Sequence, residues 1–272
     1  MLTRVHHVGL VVRRLEDGLA FWQDVLGLRI SRQATVRDQG VRAALLPIGR
    51  SEIELLEPID PQGGVARFLD RRGEGLHHVC FETPGVEAEL AAARAKGLPL
   101  IDEAPRPGLA GMICFLHPKG TRGVLVELAT PPAGAGHVAT AGAGPFAGLA
   151  LAAVVAWSRE AASAADLFAT QLGLARATAE AEAGLTAAAV AAGGVRLVFV
   201  AADTRSAGPD AAAFRAEVEA RGEGLAGLVL EVADLAAATA ALARFAPAGE
   251  RRAVRLDPAR SGGVPLTLRG SS

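Results

Sequence analysis

The chain has 272 residues, half of them hydrophobic, which is ample for packed cores in one large or two ordinary domains and excludes a disordered chain. Its 28 Lys and Arg balance 29 Asp and Glu, so it lacks the electrostatic footprint of a nucleic-acid or anionic-membrane binder, and a small-molecule partner is expected. No stretch reaches about 18 uninterrupted apolar residues, and the N-terminus MLTRVHHVGL has neither an apolar run nor a cleavage site, so a cytoplasmic protein is expected. Cys80 and Cys114 sit inside strand-like apolar runs, where a buried, reduced thiol is the ordinary state. Tyr is absent, which removes one common general acid.

In chain order, RVHHVGLVV reads as a strand and LEDGLAFWQDVLGL as an amphipathic helix closed by Gly27. VRAALLPIG and SEIELLEPI follow as two strands joined at Gly49-Arg50-Ser51, an antiparallel hairpin. The order then repeats. GLHHVCFE is strand-like, VEAELAAARAKG is helix-like and ends on Gly97, and MICFLHP and GVLVELA are strand-like again. The segment PPAGAGHVATAGAGP, built almost wholly of Pro, Gly, Ala and Thr, reads as a linker that contains an inert His137. The expected organisation is a first domain at 1–131, a linker at 132–147 and a second domain at 148–272.

Index arithmetic exposes the repeat. His7 and His78 are 71 positions apart, and Glu54 and Glu127 are 73 apart, so each unit carries a His on its first strand and a Glu on its last. The second half reads as a copy: RRGEGLHHVCFE returns as ARGEGLAGLVLE and LHPKGTRGVLVEL as LDPARSGGVPLTL. In that copy His7 falls on Ala153, His78 on Gly227, Glu127 on Thr267 and Glu54 near Arg196, none of which holds a divalent cation.

Two His and two Glu inside apolar strands would be buried without partners unless something gathers them. A divalent ion of the Mg²⁺, Mn²⁺, Co²⁺, Ni²⁺ or Zn²⁺ type held by His7, Glu54, His78 and Glu127 is the simplest solution, and the two carboxylates offset its charge. Taken singly, each His is more often structural and each Glu more often a solvated strand residue, and the fourfold agreement with the repeat outweighs that. Alternation lets only one of each doublet face the site, so His6 and His77 are read as structural. His117 precedes Pro118 at a strand end suited to capping or to substrate contact. Gly222 to Gly227 fits GxGxxG, but it leads into a strand and is not a nucleotide-binding loop.

MLTRVHHVGL, DQGVRAALLPIG, EIELLEP, FLDRRGEGLHHVCFE and FLHPKGTRGVLVELA together resemble the methylmalonyl-CoA epimerase family of the vicinal oxygen chelate superfamily, over nearly all of residues 1–131. The resemblance implies an α+β fold of four βαβββ modules paired into two half-open barrels, a fused pseudo-dimer whose second half keeps the fold alone. It matches the family's ligand positions to His7, Glu54, His78 and Glu127, with Glu54 where some members have Gln. It also implies an acyl-CoA substrate, with His117 and Lys119 of the HPK stretch as substrate-binding residues, and a monomer or a homodimer of the fused chain.

The implied chemistry is removal of the proton beside a thioester carbonyl through a metal-stabilised enolate, with Glu127 as base, as the related glyoxalase I suggests. Some family members have a second catalytic Glu where this chain has Ala43, and Glu52, on the strand face of Glu54, is the other carboxylate there. The competing readings are a glyoxalase I-type isomerase and a metal-free module that binds small molecules. An extradiol dioxygenase is set aside, because it would keep its metal residues in the C-terminal pair of modules.

Overall fold

The structure, a computed structural model, describes residues 1–134, 144–243, 245 and 253–271. His137 and most of the expected linker lie outside the described residues. The first module comprises β1 (Arg4–Val11), α1 (Leu15–Trp22), β2 (Arg32–Val36), β3 (Val41–Ile48) and β4 (Ser51–Pro58). After α2 (Gly64–Arg72), the second comprises β5 (Gly75–Glu82), α3 (Val86–Ala95), β6 (Arg106–Gly108), β7 (Gly111–Leu116) and β8 (Val126–Thr130). The third has β9 (Ala150–Trp157), α4 (Ala161–Leu172), β10 (Ala175–Ala177), β11 (Leu185–Ala192) and β12 (Val195–Ala202). Following α5 (Pro209–Arg221), the described part of the fourth has β13 (Gly224–Val232), α6 (Leu235–Ala241), β14 (Ala253–Leu256) and β15 (Leu266–Gly270). The expected α+β fold of paired βαβββ modules is what forms.

The strands make two sheets. One runs β2-β3-β4-β1-β5-β8-β7-β6, the other β10-β11-β12-β9-β13-β15-β14. Within each module the first strand lies parallel to the last, as in β1 with β4 and β5 with β8, while the remaining pairs are antiparallel. β1 and β4 are buried along most of their length, polar residues included. The hairpin expected at Gly49 is present, with Ile48 opposite Ser51 and Gly49 at φ +58°. β2 was not legible: RQATV is an exposed edge strand that pairs only with β3 and needs no apolar face. The first helix is also shorter than its pattern. It stops at Trp22, and Gly27 closes a separate turn by donating to the Gln23 carbonyl.

The described residues group into two compact units whose boundaries fall inside β1, β5, β9 and β13. One contains residues 1–5, 78–133 and 153–226, and therefore the second and third modules. In it, the turn after Pro118–Gly120 meets the start of β13 so closely that a Cβ on Gly123 would collide with the Glu223 carbonyl oxygen. The other contains residues 6–77, 134–152 and 227–272 as far as they are described, and therefore the first and fourth modules. There a Cβ on Gly263 would collide with the Glu74 carbonyl oxygen. The same backbone contact thus occurs once in each unit, and each time it joins a piece of the first half of the chain to a piece of the second.

The GEG motif is part of this device. Glu74 accepts the Arg13 amide proton at 2.7 Å and Glu57 accepts that of Leu15 at 2.8 Å, which supplies the start of α1 with the acceptors its own N-cap lacks. Glu223 does the same in the second half, where its carboxylate accepts from the Arg159 amide at 2.9 Å and the Ser158 hydroxyl at 2.7 Å. No helix among the described residues is long and apolar enough to cross a membrane.

Gly123 adopts φ +78° against a crowded backbone, whereas Gly97 adopts φ +72° with nothing within 4 Å of a would-be Cβ. Gly97→Ala is expected to cost about 1–2 kcal/mol for the left-handed backbone alone. Gly123→Ala adds the collision and is expected to cost roughly 3 kcal/mol or more. Urea unfolding of the two full-length variants checks the difference, and equal losses would refute the packing role.

Candidate metal centre

On the parallel ladder of β1 and β4, Gly9 lies opposite Glu54, and His7 is two residues back on the same face. His7 Nε2 comes within 3.4 Å of Glu54 Oε2. β5 and β8 repeat the arrangement. Cys80 lies opposite Glu127, and His78, two residues back, places Nε2 2.9 Å from Glu127 Oε2. The strands β4, β1, β5 and β8 are consecutive in the first sheet. One ligand atom from each of the four residues lies within 4.8 Å of the other three, and all four side chains are buried, at 0% exposure for His7, 6% for Glu54, 2% for His78 and 4% for Glu127.

That donor set fits a divalent cation. Metal–ligand bonds of about 2.1 Å place neighbouring donors roughly 3 Å apart and opposite donors roughly 4.2 Å apart, within the observed spread. Two imidazoles and two carboxylates suit Mn²⁺, Co²⁺, Ni²⁺ or Zn²⁺ in an octahedral or lower coordination, and such an ion relieves the cost of burying two carboxylates in an apolar sheet.

His6 does more than the alternation rule allows it. Its Nδ1 stands 2.9 Å from His7 Nδ1, with the rings edge to face at 5.2 Å. A His7 that offers Nε2 to a metal carries its proton on Nδ1, and His6 Nδ1 is then the acceptor that fixes that tautomer. Glu52 Oε2 lies 3.8 Å from His6 Nδ1, and Glu52 Oε1 accepts from the Ser31 hydroxyl at 3.0 Å. Glu52 is therefore half-buried and held, not a solvated strand residue. His6, His7 and Cys80 also have ligand atoms within 4.8 Å of one another, although this set lacks the carboxylates that would offset an ion's charge. His77 packs edge to face on Phe68 at 4.9 Å and, among the described residues, belongs to no group of candidate ligands with the quartet.

Of the two roles open to His117, the structure shows capping: its Nδ1 accepts from the Lys119 amide at 3.1 Å, closing the turn Pro118–Gly120. The second half makes the same turn with an acid, Asp257 accepting from the Ala259 amide at 3.0 Å. The Lys119 side chain is exposed. Ala43 is wholly buried, two residues from Leu45, which lies opposite Glu54, so the face of Glu54 has no acid at that position.

Strand register refines the comparison of the halves. Arg196 lies opposite Ala153 as Glu52 lies opposite His7, so the counterpart of Glu54 is Val198, not Arg196. Val229 opposite Thr267 matches Cys80 opposite Glu127. The second half thus presents Ala153, Val198, Gly227 and Thr267. Among the described residues it forms no group of three or more His, Cys, Asp or Glu that could hold an ion. The GxGxxG stretch is the end of α5 running into β13, as its context implied.

The model of the glyoxalase/bleomycin resistance protein/dioxygenase superfamily matches residues 6–115, which include His7, Glu54 and His78. The chain is 38% identical over 131 residues to an uncharacterised protein of Bacillus subtilis, covering 48% of this chain and 94% of that protein. It is 33% identical over 129 residues to the mitochondrial methylmalonyl-CoA epimerase of Homo sapiens, covering 47% of this chain and 73% of the relative. A solved structure of a mutant 4-hydroxymandelate synthase from Streptomyces coelicolor matches 99% of this chain and 92% of its own with a TM-score of 0.74. At 17% identity that match shows the fold alone.

Two measurements follow from this geometry. Elemental analysis of the purified chain is expected to find about one divalent ion per molecule, and His78→Ala is expected to weaken retention by at least about tenfold; full retention in that variant would refute the site. Burial, with the negative charges of Asp102 and Glu127 nearby, pushes the Cys114 thiol up to about 12. At pH 8 roughly one molecule in ten thousand then carries the thiolate, so a thiol reagent is expected to label Cys114 only after unfolding.

Proposed function

Because the chain belongs to the glyoxalase/bleomycin resistance protein/dioxygenase superfamily, we propose that residues 1–131 hold one divalent metal ion and epimerise methylmalonyl-CoA or a related 2-substituted malonyl-CoA. The observation that carries the reading is the buried quartet of His7, Glu54, His78 and Glu127 in a chain similar to a methylmalonyl-CoA epimerase. Residues 148–272, without such a quartet among the described residues, contribute the remaining modules of the two compact units and complete the fold.

When bound, the ion supplies a Lewis acid for the negative charge that develops on the oxygens of a malonyl thioester. The chain's own groups then handle the proton. Glu127 is the base: its carboxylate is buried, its Oε2 lies 2.9 Å from His78 Nε2, and it belongs to the quartet that would hold the ion. Glu127 removes the α-proton, and inversion then takes delivery of a proton to the opposite face by a second carrier, because Glu127 returns its proton only to its own side. Ala43 offers no second acid, and the other carboxylate on the Glu54 face of β4 is Glu52, kept in place by Ser31. Leu45 lies opposite Glu54 and Phe115 opposite Glu127, so apolar residues flank the buried quartet.

The test is wash-in of solvent deuterium at the α-carbon of methylmalonyl-CoA by the Co²⁺-loaded protein. Glu127→Gln is expected to slow exchange by about 10²–10⁴-fold, measured alongside metal content because Glu127 is also a ligand. Turnover of a glutathione hemithioacetal with no exchange into any acyl-CoA would replace the epimerase with a glyoxalase I-type isomerase.

A further inference from the structure

We propose that Arg106 is the anion-recognising residue of this site and selects thioesters that carry a free carboxylate, an inference that rests on the epimerase reading above. β6 is the edge strand of the first sheet. Arg106 lies opposite Ile113 on β7, and two residues further along β7 Phe115 lies opposite Glu127 on β8. Arg106, Ile113, Phe115 and Glu127 therefore share one face of the sheet. The Arg106 guanidinium stands over the Phe115 ring at 5.6 Å, and that ring meets the His78 ring edge to face at 5.4 Å. A continuous row of contacts thus runs from the guanidinium to a residue of the quartet.

Asp102 fixes the guanidinium. Its Oδ1 accepts from Arg106 Nε at 3.0 Å, and its Oδ2 accepts the Phe115 amide proton at 2.8 Å, so the arginine is tied to the strand that carries its ring partner. This pair accounts for one edge of the fork only. Arg106 Nη1 is buried and has no hydrogen-bond partner among the described residues. A salt bridge that merely pinned the bend at 102–106 would explain Nε and leave a buried cationic N–H unexplained, which is costly. A planar, always charged fork with one edge occupied and the other unmatched suits a carboxylate, and a malonyl-type thioester carries one while a simple acyl thioester does not.

The experiment uses the full chain stripped of metal by a chelator, so that chelation of the carboxylate by an ion contributes nothing. Calorimetry then compares methylmalonyl-CoA with propionyl-CoA. The wild type is expected to prefer methylmalonyl-CoA by about tenfold or more, in line with one charge-assisted hydrogen bond. Arg106→Gln is expected to bring the ratio to about one with propionyl-CoA affinity unchanged. Arg106→Lys, which keeps the charge and loses the fork, is expected to retain part of the preference and serves as the deciding variant should Arg106→Gln fail to fold. A wild-type ratio near one, no measurable binding of either thioester, or a preference untouched by both substitutions overturns the proposal. Deuterium wash-in by the Co²⁺-loaded wild type separates the two failures: exchange without an Arg106 effect discards this inference alone, whereas absence of exchange discards the epimerase reading.

Discussion

The central constraint is the burial of four ionisable side chains in the middle of an apolar sheet. His7, Glu54, His78 and Glu127 are almost wholly removed from water, and a carboxylate taken out of water costs several kcal/mol unless a charge or donor meets it. Strand order makes the meeting possible. Each of the first two modules contributes one His and one Glu by the same diagonal step across a parallel ladder, and β4, β1, β5 and β8 stand side by side. A divalent ion is the partner that suits two imidazoles and two carboxylates at this spacing, and the surroundings serve the same end. His6 and Glu52 back His7, Phe115 packs on His78, and Asp102 and Arg106 are anchored to Phe115 in turn.

The repeat separates what the fold needs from what the site needs. The second half preserves the devices that make the backbone close. Glu223 repeats the helix-entry role of Glu74, Asp257 repeats the cap of His117, and Ser261 donates to the Val264 carbonyl at 2.6 Å as Thr121 does to that of Val124. The glycines that permit close backbone approach are present in both copies. The ligands are not, and Ala153, Val198, Gly227 and Thr267 stand in their places. Since each compact unit draws one module from either half, the lack of such a quartet among the described residues of the second half is compatible with the contacts that complete the fold. The GEG and HPK motifs, which carried part of the family resemblance, have a structural part in this chain: the Glu holds a helix start and the His closes a turn.

Much of this was legible in the order of residues. Alternation of apolar residues located the strands and the Gly49 hairpin. Near-equal spacing of His and Glu in two units singled out the quartet as candidates, and the second half carries none of those residue types at the matching positions. Local periodicity carries such information because a strand's side chains alternate whatever the strand packs against. The sequence could likewise dismiss GxGxxG, since an apolar strand follows it directly.

The remainder depended on which strands pair, in what register, and on where loops come to rest. β2 has no apolar face to betray it, and only its pairing with β3 makes it a strand. Register, not index arithmetic, assigned Val198 as the counterpart of Glu54, because spacing inside loops differs between the halves. The contact of His6 with His7 overrides simple alternation, and the approach of Arg106 to Phe115 joins an edge strand to the centre through side chains, neither of which a one-dimensional pattern encodes. Sequence alone determined which residues are candidates for the chemistry, because residue type and strand alternation are local. Tertiary structure decided which of them meet, because distance across a sheet is set by hydrogen-bond register and burial between strands far apart in the chain.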